Sequence, residues 1–242
     1  MIYQYPTLRE GKLLKRYKRF LADIELDNGE IITAHCANTG PMIGVCDIGS
    51  KVQVSVSDNP KRKLPYSWEM IAVGENSTWV GINTSLPNRI VKTLLENQLI
   101  ENLAGKYDKV KSEVKFGHDG KSRIDFVLTG DNNQPPIYLE VKNTTLSDEP
   151  NIVLFPDTET TRGQKHLQEL IALTAENVIP VMLYFINRND CEYFAVGSKY
   201  DLKYGNLFAE AREKGVMILP CRFEVTPQGV SYLGLAKITP VL

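Results

Sequence analysis

Apolar and polar residues alternate with a period of two over much of the chain, most cleanly between Ser122 and Thr145. Ile124, Phe126 and Leu128 alternate with Arg123, Asp125 and Val127, and Ile137, Leu139 and Val141 alternate with Tyr138, Glu140 and Lys142. Successive strand side chains point to opposite faces, so the pattern predicts two strands. The run GDNNQPP between them is rich in turn formers and reads as a hairpin connection. Glu140 and Lys142 then share a face, Asp125 lies opposite Ile124, Phe126 and Leu128, and pairing of the strands lets the three polar residues converge.

Before this hairpin, residues 11–85 read as all-β. LLKRYKRFLADIEL leads into the turn Asp27–Glu30, followed by EIITAHC, the loop ANTGPMIGVCDIGS, KVQVSVSD, SWEMIAVG and STWVGINT. Five short strands in so short a span suggest a small barrel, with an OB-type fold as the natural candidate; the alternative is an extension of one larger sheet. Near Thr84 the period changes: Ile90, Leu94, Leu95 and Leu99 fall at helical spacing, with Asn88 as an expected cap. Two domains follow, 1–84 and 85–242. The second continues with a strand at Lys109–Phe116 and a turn at His118–Gly120 into the Asp125 strand. After the hairpin comes a loop through Thr161, broken by Pro150 and Pro156. A helix follows with Leu167, Leu170 and Ile171 on one face, then the near-continuously apolar strand VIPVMLYFINR, then EYFAVG, a helix stopped by Gly215, and a last strand. The fold class is therefore α/β (α+β), a mixed sheet flanked by helices behind a small barrel.

The hairpin carries the chemistry. Two nearby carboxylates repel when ionised, and a divalent cation removes the repulsion. Mg²⁺ needs only one or two carboxylates beside water and substrate phosphate, and it polarises phosphoryl oxygens and acidifies water. A neighbouring lysine stabilises charge on the phosphate. Asp125, Glu140 and Lys142 supply that set, and Glu113, one strand earlier, is a third acidic candidate. The bland reading of Glu140 and Lys142 is a solvated strand face.

The net charge of −1 leaves nucleic-acid binding to local features. Lys15, Arg16, Lys18 and Arg19 flank Tyr17 and Phe20 on the expected first strand, and Lys61, Arg62 and Lys63 precede Tyr66 and Trp68. Interleaved cations and aromatics suit phosphates and bases of a single strand; core aromatics with ordinary surface lysines are the alternative. Arg162, Gln164 and Lys165 stand near a helix start, where an anion is favoured, and Arg89 and Lys92 lie off their helix's apolar stripe. His166 reads equally as helix surface or as a neighbour of the site. Asn38–Thr39–Gly40 is a tight turn or a backbone anion site, with the turn favoured. Four cysteines without a C-x-x-C pair and three scattered histidines argue against zinc and for a reduced, cytoplasmic chain. The polar start is no signal peptide, and no apolar run nears the roughly twenty residues of a membrane span.

The signature Asp125…Glu140–Val141–Lys142 resembles that of the PD-(D/E)xK nuclease superfamily, with Ile124 in place of its proline. Nearly the whole chain is similar to the sugar fermentation stimulation protein A family. The similar blocks run in order: LLKRYKRFLADIEL, HCANTGPMIG, SDNPKRKLPYSWEM, NRIVKTLLENQLI, KSEVKFG…SRIDFVL, YLEVKNTTL, FPDTETTRGQKHLQEL and AREKGVMIL. The resemblance implies an OB-like N-terminal domain and a nuclease-like C-terminal domain. It also implies DNA binding without sequence specificity and a regulatory link to maltose or sugar metabolism. The family's acidic–lysine constellation falls on Glu113, Asp125, Glu140 and Lys142. The expected function is thus a DNA-binding protein with a Mg²⁺- or Mn²⁺-dependent nuclease site at Asp125, Glu140 and Glu113. The alternative is a non-catalytic DNA-binding regulator on an inherited nuclease scaffold. Single strands, duplex and RNA stay open as ligands, as does the oligomeric state.

Overall fold

The computed structural model describes residues 1–116, 122–131 and 134–239; the turn expected at His118–Gly120 lies outside them. Strands β2 (Leu8–Tyr17), β3 (Leu21–Leu26), β4 (Ile31–His35), β5 (Lys51–Val56) and β6 (Tyr66–Val73) form a ladder in the order 4-3-2-5-6. Parallel pairing of Ala34 with Tyr66 and His35 with Ser67 closes it into a five-stranded barrel, and β7 (Thr78–Gly81) extends β6. Leu13, Ile24, Val52, Val54, Trp68 and Ile71 fill the interior with no exposed surface. The expected single run LLKRYKRFLADIEL is two strands. Lys18 and Arg19 adopt φ of 49° and 66°, a left-handed conformation that ends an extended run. Lys18 and Arg19 therefore occupy a turn rather than a strand.

The second unit is built on a seven-stranded mixed sheet. Its order is β1 (Tyr3–Gln4), β16 (Gly229–Leu235), β15 (Met217–Thr226), β13 (Ile179–Ile186), β10 (Ile137–Thr144), β9 (Ser122–Thr129) and β8 (Lys109–Phe116). The pairs β10–β13 and β13–β15 are parallel. Helix α1 (Leu86–Glu96) covers one face, and α2 (Thr161–Leu173) and α3 (Leu202–Glu213) cover the other. Central β13 sends Val181, Leu183 and Phe185 into the α1-side core and Met182, Tyr184 and Ile186 into the opposite one. Burial on both faces explains its unbroken apolar sequence.

Three expectations change here. The stretch after Lys142, where the sequence predicts a loop, contains the hairpin β11 (Leu146–Glu149) and β12 (Ile152–Phe155), which joins β14 (Tyr193–Val196) and β17 (Lys237–Ile238) in a small second sheet. Pro150 falls in its turn and Pro156 just past its end, so neither prolyl ring interrupts a ladder. Tyr3 and Gln4 precede the barrel in sequence but pair with β16 of the large sheet, so the N-terminal unit is not simply residues 1–84. Finally, β8 and β9 exchange faces midway. Val110, Phe126 and Leu128 pack on the α1 side, whereas Val114, Phe116 and Ile124 pack on the α2–α3 side. The switch occurs where Glu113, at φ 55°, lies between the pairs Ser112–Phe126 and Val114–Ile124.

Candidate active site

The ladder between β9 and β10 pairs Ile137 with Leu128, Tyr138 with Val127 and Leu139 with Phe126, and then stops. Asp125 is the next residue. Its carboxylate takes the place of the missing ladder bond: Oδ2 accepts the Val141 N–H at 2.7 Å, and Oδ1 accepts from Asn88 Nδ2 at 2.8 Å. Asn88 lies in the first turn of α1. It does not cap the helix as expected; Ser85 holds the N-cap position, and a proline occupies the first turn, where a missing N–H costs nothing.

Glu140 and Lys142 project from β10 toward α2. Glu140 is only 4% exposed, and its Oε1 accepts from Lys142 Nζ at 2.7 Å. His166 Nδ1 contacts the same oxygen and stands 2.9 Å from Lys142 Nζ. The position of His166 follows from how α2 begins. Thr160 Oγ1 accepts from Gly163 N–H at 3.0 Å; the Asp201 carboxylate accepts from Thr160 N–H at 3.0 Å, and both its oxygens accept from Gln164 Nε2, at 3.0 and 2.9 Å. Asp201 also caps α3 through Tyr204 N–H at 2.9 Å. One buried carboxylate thus fixes two helix starts and, through α2, the imidazole.

The two acids of the site are driven apart electrostatically. Burial pushes Asp125 up to about 6, the charge of Glu140 adds to that push, and the Val141, Lys142 and Asn88 contacts oppose it. Burial also pushes Glu140 up, but the hydrogen bond from His166 and the charge of Lys142 outweigh it, so Glu140 is held below its ordinary value. Neighbouring acids with diverging proton affinities mark acid–base and metal sites.

Among the described residues no three His, Cys, Asp or Glu side chains are grouped to hold a metal ion. The metal-ligating groups available are the two carboxylates, and of their four oxygens only Glu140 Oε2 accepts no hydrogen bond among the described residues. An all-oxygen pair fits Mg²⁺ or Mn²⁺, whose remaining positions are filled by water and phosphate. Glu113 is not part of the pair. It is exposed at the face switch, with its carboxylate 4.0 Å from Arg123 Nη1, because its left-handed backbone turns it away from the ladder.

Several expected nucleic-acid contacts are otherwise engaged. Gln164 is 4% exposed and its amide is spent on Asp201, so it is a brace and not a surface contact. Arg16 Nη2 donates to the carbonyls of Asn38 and Gly40 at 3.0 and 2.9 Å, and Arg19 Nε to that of Thr39 at 2.9 Å. The loop Asn38–Gly40 presents its carbonyls to two arginines, and its Gly40 N–H is taken by Asn38 Oδ1 at 2.9 Å, the local bond of a tight turn. Lys15 lies over the Tyr17 ring at 5.2 Å. Lys18, Lys61, Lys63, Arg162 and Lys165 are exposed, with Lys165 3.5 Å from Glu169; Arg62 is half-buried and donates to Ser67 Oγ at 2.8 Å. Asn88 and Asp201 were not singled out as site residues by the sequence. The spacing of Gln164 and His166, two apart at a helix start, was the only signal for their different roles.

Two family models cover the chain: the sugar fermentation stimulation protein RE domain over residues 85–229 and the N-terminal OB domain of the same family over residues 14–82. This chain belongs to the sugar fermentation stimulation protein family. Relatives named sugar fermentation stimulation protein homolog include one from Crocosphaera subtropica, 65% identical over 98% of this chain and 97% of its own. Another, from Synechocystis, is 58% identical over 98% of each. The structure of Pyrococcus furiosus SfsA in complex with Ca²⁺ superposes with a TM-score of 0.85 over 98% of each chain at 22% identity, and shares the family's whole architecture of barrel and mixed sheet.

Proposed function

We propose that this member of the family binds DNA without sequence specificity and carries a Mg²⁺- or Mn²⁺-dependent phosphodiesterase centre at Asp125, Glu140 and Lys142. The observation that carries the reading is the pair of largely buried carboxylates at the point where β9 and β10 part, with a lysine bonded to one of them. A protein that only held phosphates would gain nothing from burying two acids beside them, because bare carboxylates repel the ligand. A bound divalent cation would supply polarisation of a phosphoryl oxygen and acidification of water. The chain's own residues do the rest. Asn88 and the Val141 N–H orient Asp125, His166 and Glu140 hold the Lys142 amine, and Lys142 offers its charge to the phosphoryl oxygens. The Pyrococcus furiosus relative binds Ca²⁺, a hard, oxygen-seeking cation, and a cation of that kind is the one proposed for this chain. Among the described residues no helix is long and apolar enough to cross a membrane. A cytoplasmic role tied to sugar utilisation belongs to the same proposal.

A second reading, a non-catalytic DNA-binding regulator, is favoured by one feature: both Asp125 oxygens already accept hydrogen bonds from the protein. Calorimetric titration of Mn²⁺ and Mg²⁺, with cleavage of labelled oligonucleotides, separates the two. The catalytic reading expects metal binding that disappears in Asp125→Ala, and cleavage abolished in the Asp125→Ala, Glu140→Ala double variant while DNA binding persists. Cleavage that survives the double variant overturns the site; absence of metal binding, even with oligonucleotide present, favours the regulator.

A further inference from the structure

The barrel and helix α1 enclose a cleft of 380 Å³, lined among others by Tyr3, Arg62, Glu69, Asn83 and Arg89. Arg62 comes from the loop before β6, and Arg89 from the first turns of α1 on the facing wall. Among the described residues no carboxylate lies within ion-pair distance of either guanidinium. Among the described residues the Arg62 guanidinium bonds only to the Ser67 hydroxyl, and Arg89 stands 5.6 Å over the Tyr3 ring. Both guanidiniums act on Glu69, which is 5% exposed at the floor of the cleft. Glu69 is itself occupied: its oxygens accept from Ser55 Oγ at 2.5 Å and Asn83 Nδ2 at 2.8 Å. The cleft thus has two cations against one carboxylate whose acceptors are turned inward, with a stacking ring on its wall.

The position of α1 gives the cleft a direction. Arg89 faces it, and the preceding residue, Asn88, bonds to Asp125. The same helical turn therefore touches both the cleft and the carboxylate pair. We infer that this cleft between the barrel and α1 is the path of a single nucleic-acid strand, with Arg62 and Arg89 gripping successive phosphates on the way to Asp125. The inference rests on the DNA-binding half of the reading above and is independent of catalysis. The size agrees: pockets of about 300–1,000 Å³ enclose one small molecule, so the cleft admits one nucleotide of a strand and excludes a stacked duplex. The start of α1 adds a favourable dipole, as it has no acidic residue in its first turn. The strand lies between the two units, whereas the exposed lysines of the barrel surface would only steer it in.

The test is fluorescence anisotropy of labelled oligothymidylate and of a hairpin duplex, with EDTA present so that the metal centre plays no part. The Arg62→Ala, Arg89→Ala double variant is expected to weaken single-strand binding on the order of tenfold. It should also flatten the slope of log K against log salt by roughly 1.4, since each single-strand phosphate contact contributes about 0.7. Glu69→Gln, which removes the opposing charge, should strengthen binding a few-fold, and a purely structural role for the cleft would not produce that gain. Arg62→Lys with Arg89→Lys should keep most of the affinity. Should the alanine variant fail to fold, the lysine and glutamine variants carry the test. Unchanged single-strand affinity and salt slope in a folded alanine variant would overturn the inference, and so would an equal loss for hairpin and single strand. Absence of Mn²⁺ and Mg²⁺ binding to the unsubstituted protein, with these results intact, would sink the phosphodiesterase reading alone.

Discussion

Asp125 stores destabilisation that the fold would shed if the acid were not needed. Its proton is held more tightly in the folded chain than in the unfolded one, because the ordinary value of 3.8 is pushed up to about 6. Below about pH 4 both states are protonated and the group contributes its full favourable share. As pH rises from about 4 to 6 the unfolded chain ionises first, so stability falls, and above pH 6 the loss is complete. The shift corresponds to about 3 kcal/mol at most. Glu140 runs the other way: its lowered value contributes stability near neutrality that is lost as pH falls through its folded value. Asp125→Asn removes the charge and keeps an acceptor for the Val141 N–H. In metal-free buffer at pH 8 it should therefore stabilise the protein by about 1–3 kcal/mol, at about 2–4 °C in Tm for each kcal/mol. The gain should shrink toward zero near pH 4. Thermal melts of the two proteins across that range check it, and a gain that is flat with pH would contradict the electrostatic origin.

At the scale of elements, the site depends on a residue that touches none of the chemistry. Asp201 accepts four hydrogen bonds that tie the start of α2 to the start of α3. Losing an N-cap costs about 0.5–2 kcal/mol, and hydrogen bonds to a charged acceptor contribute about 1.5–3 kcal/mol each. Asp201→Ala should accordingly destabilise by about 3 kcal/mol in urea denaturation. Gln164→Ala should also destabilise, by about 1–2 kcal/mol, and leave DNA affinity unchanged; a selective loss of affinity would restore it to the binding surface. These two residues show what the sequence could and could not say. Glu140 and Lys142 were legible because a strand's period of two puts them on one face, and β13 because burial on both sides leaves an unbroken apolar run. Asp125 was legible as a candidate, but the alternation presents its strand as one continuous face. The exchange of faces at Glu113 depends on a single left-handed residue, and nothing in the alternation marks it. Gln164 looked like a surface residue because its partner lies 37 positions away on another helix. Arg16 and Arg19 looked like phosphate contacts for the same reason: the carbonyls they hold belong to a loop 20 or more residues on. Local periodicity reports faces, whereas partners depend on how distant segments close.

At the scale of the whole molecule, barrel and mixed sheet share structure instead of meeting at a linker. Met70, on a barrel strand, lies in the α1-side core beside Leu86, Ile90 and Phe126, and Trp79 packs against the same core. Gly81 N–H donates to the Asn187 carbonyl at 2.9 Å, and a Cβ at position 81 would collide with the Asn187 side chain. The chain enters through β1 in the large sheet, crosses to build the barrel, and returns through α1, so the barrel is held at both ends by the other unit. Such an arrangement favours one cooperative transition, because opening the barrel strips apolar surface from the second core. Trp68 lies in the barrel core, and Trp79 sits on β7 at the junction, whereas the three helices of the described residues lie outside the barrel, so fluorescence follows the barrel and its border while helical circular dichroism follows the other unit. We expect the two signals to coincide through a urea transition. Gly81→Ala, by forcing the junction apart, should cost about 1–3 kcal/mol and shift both signals together. If the tryptophan signal moved alone, the barrel would be an independent folding unit, and the cleft at its border would open and close with it.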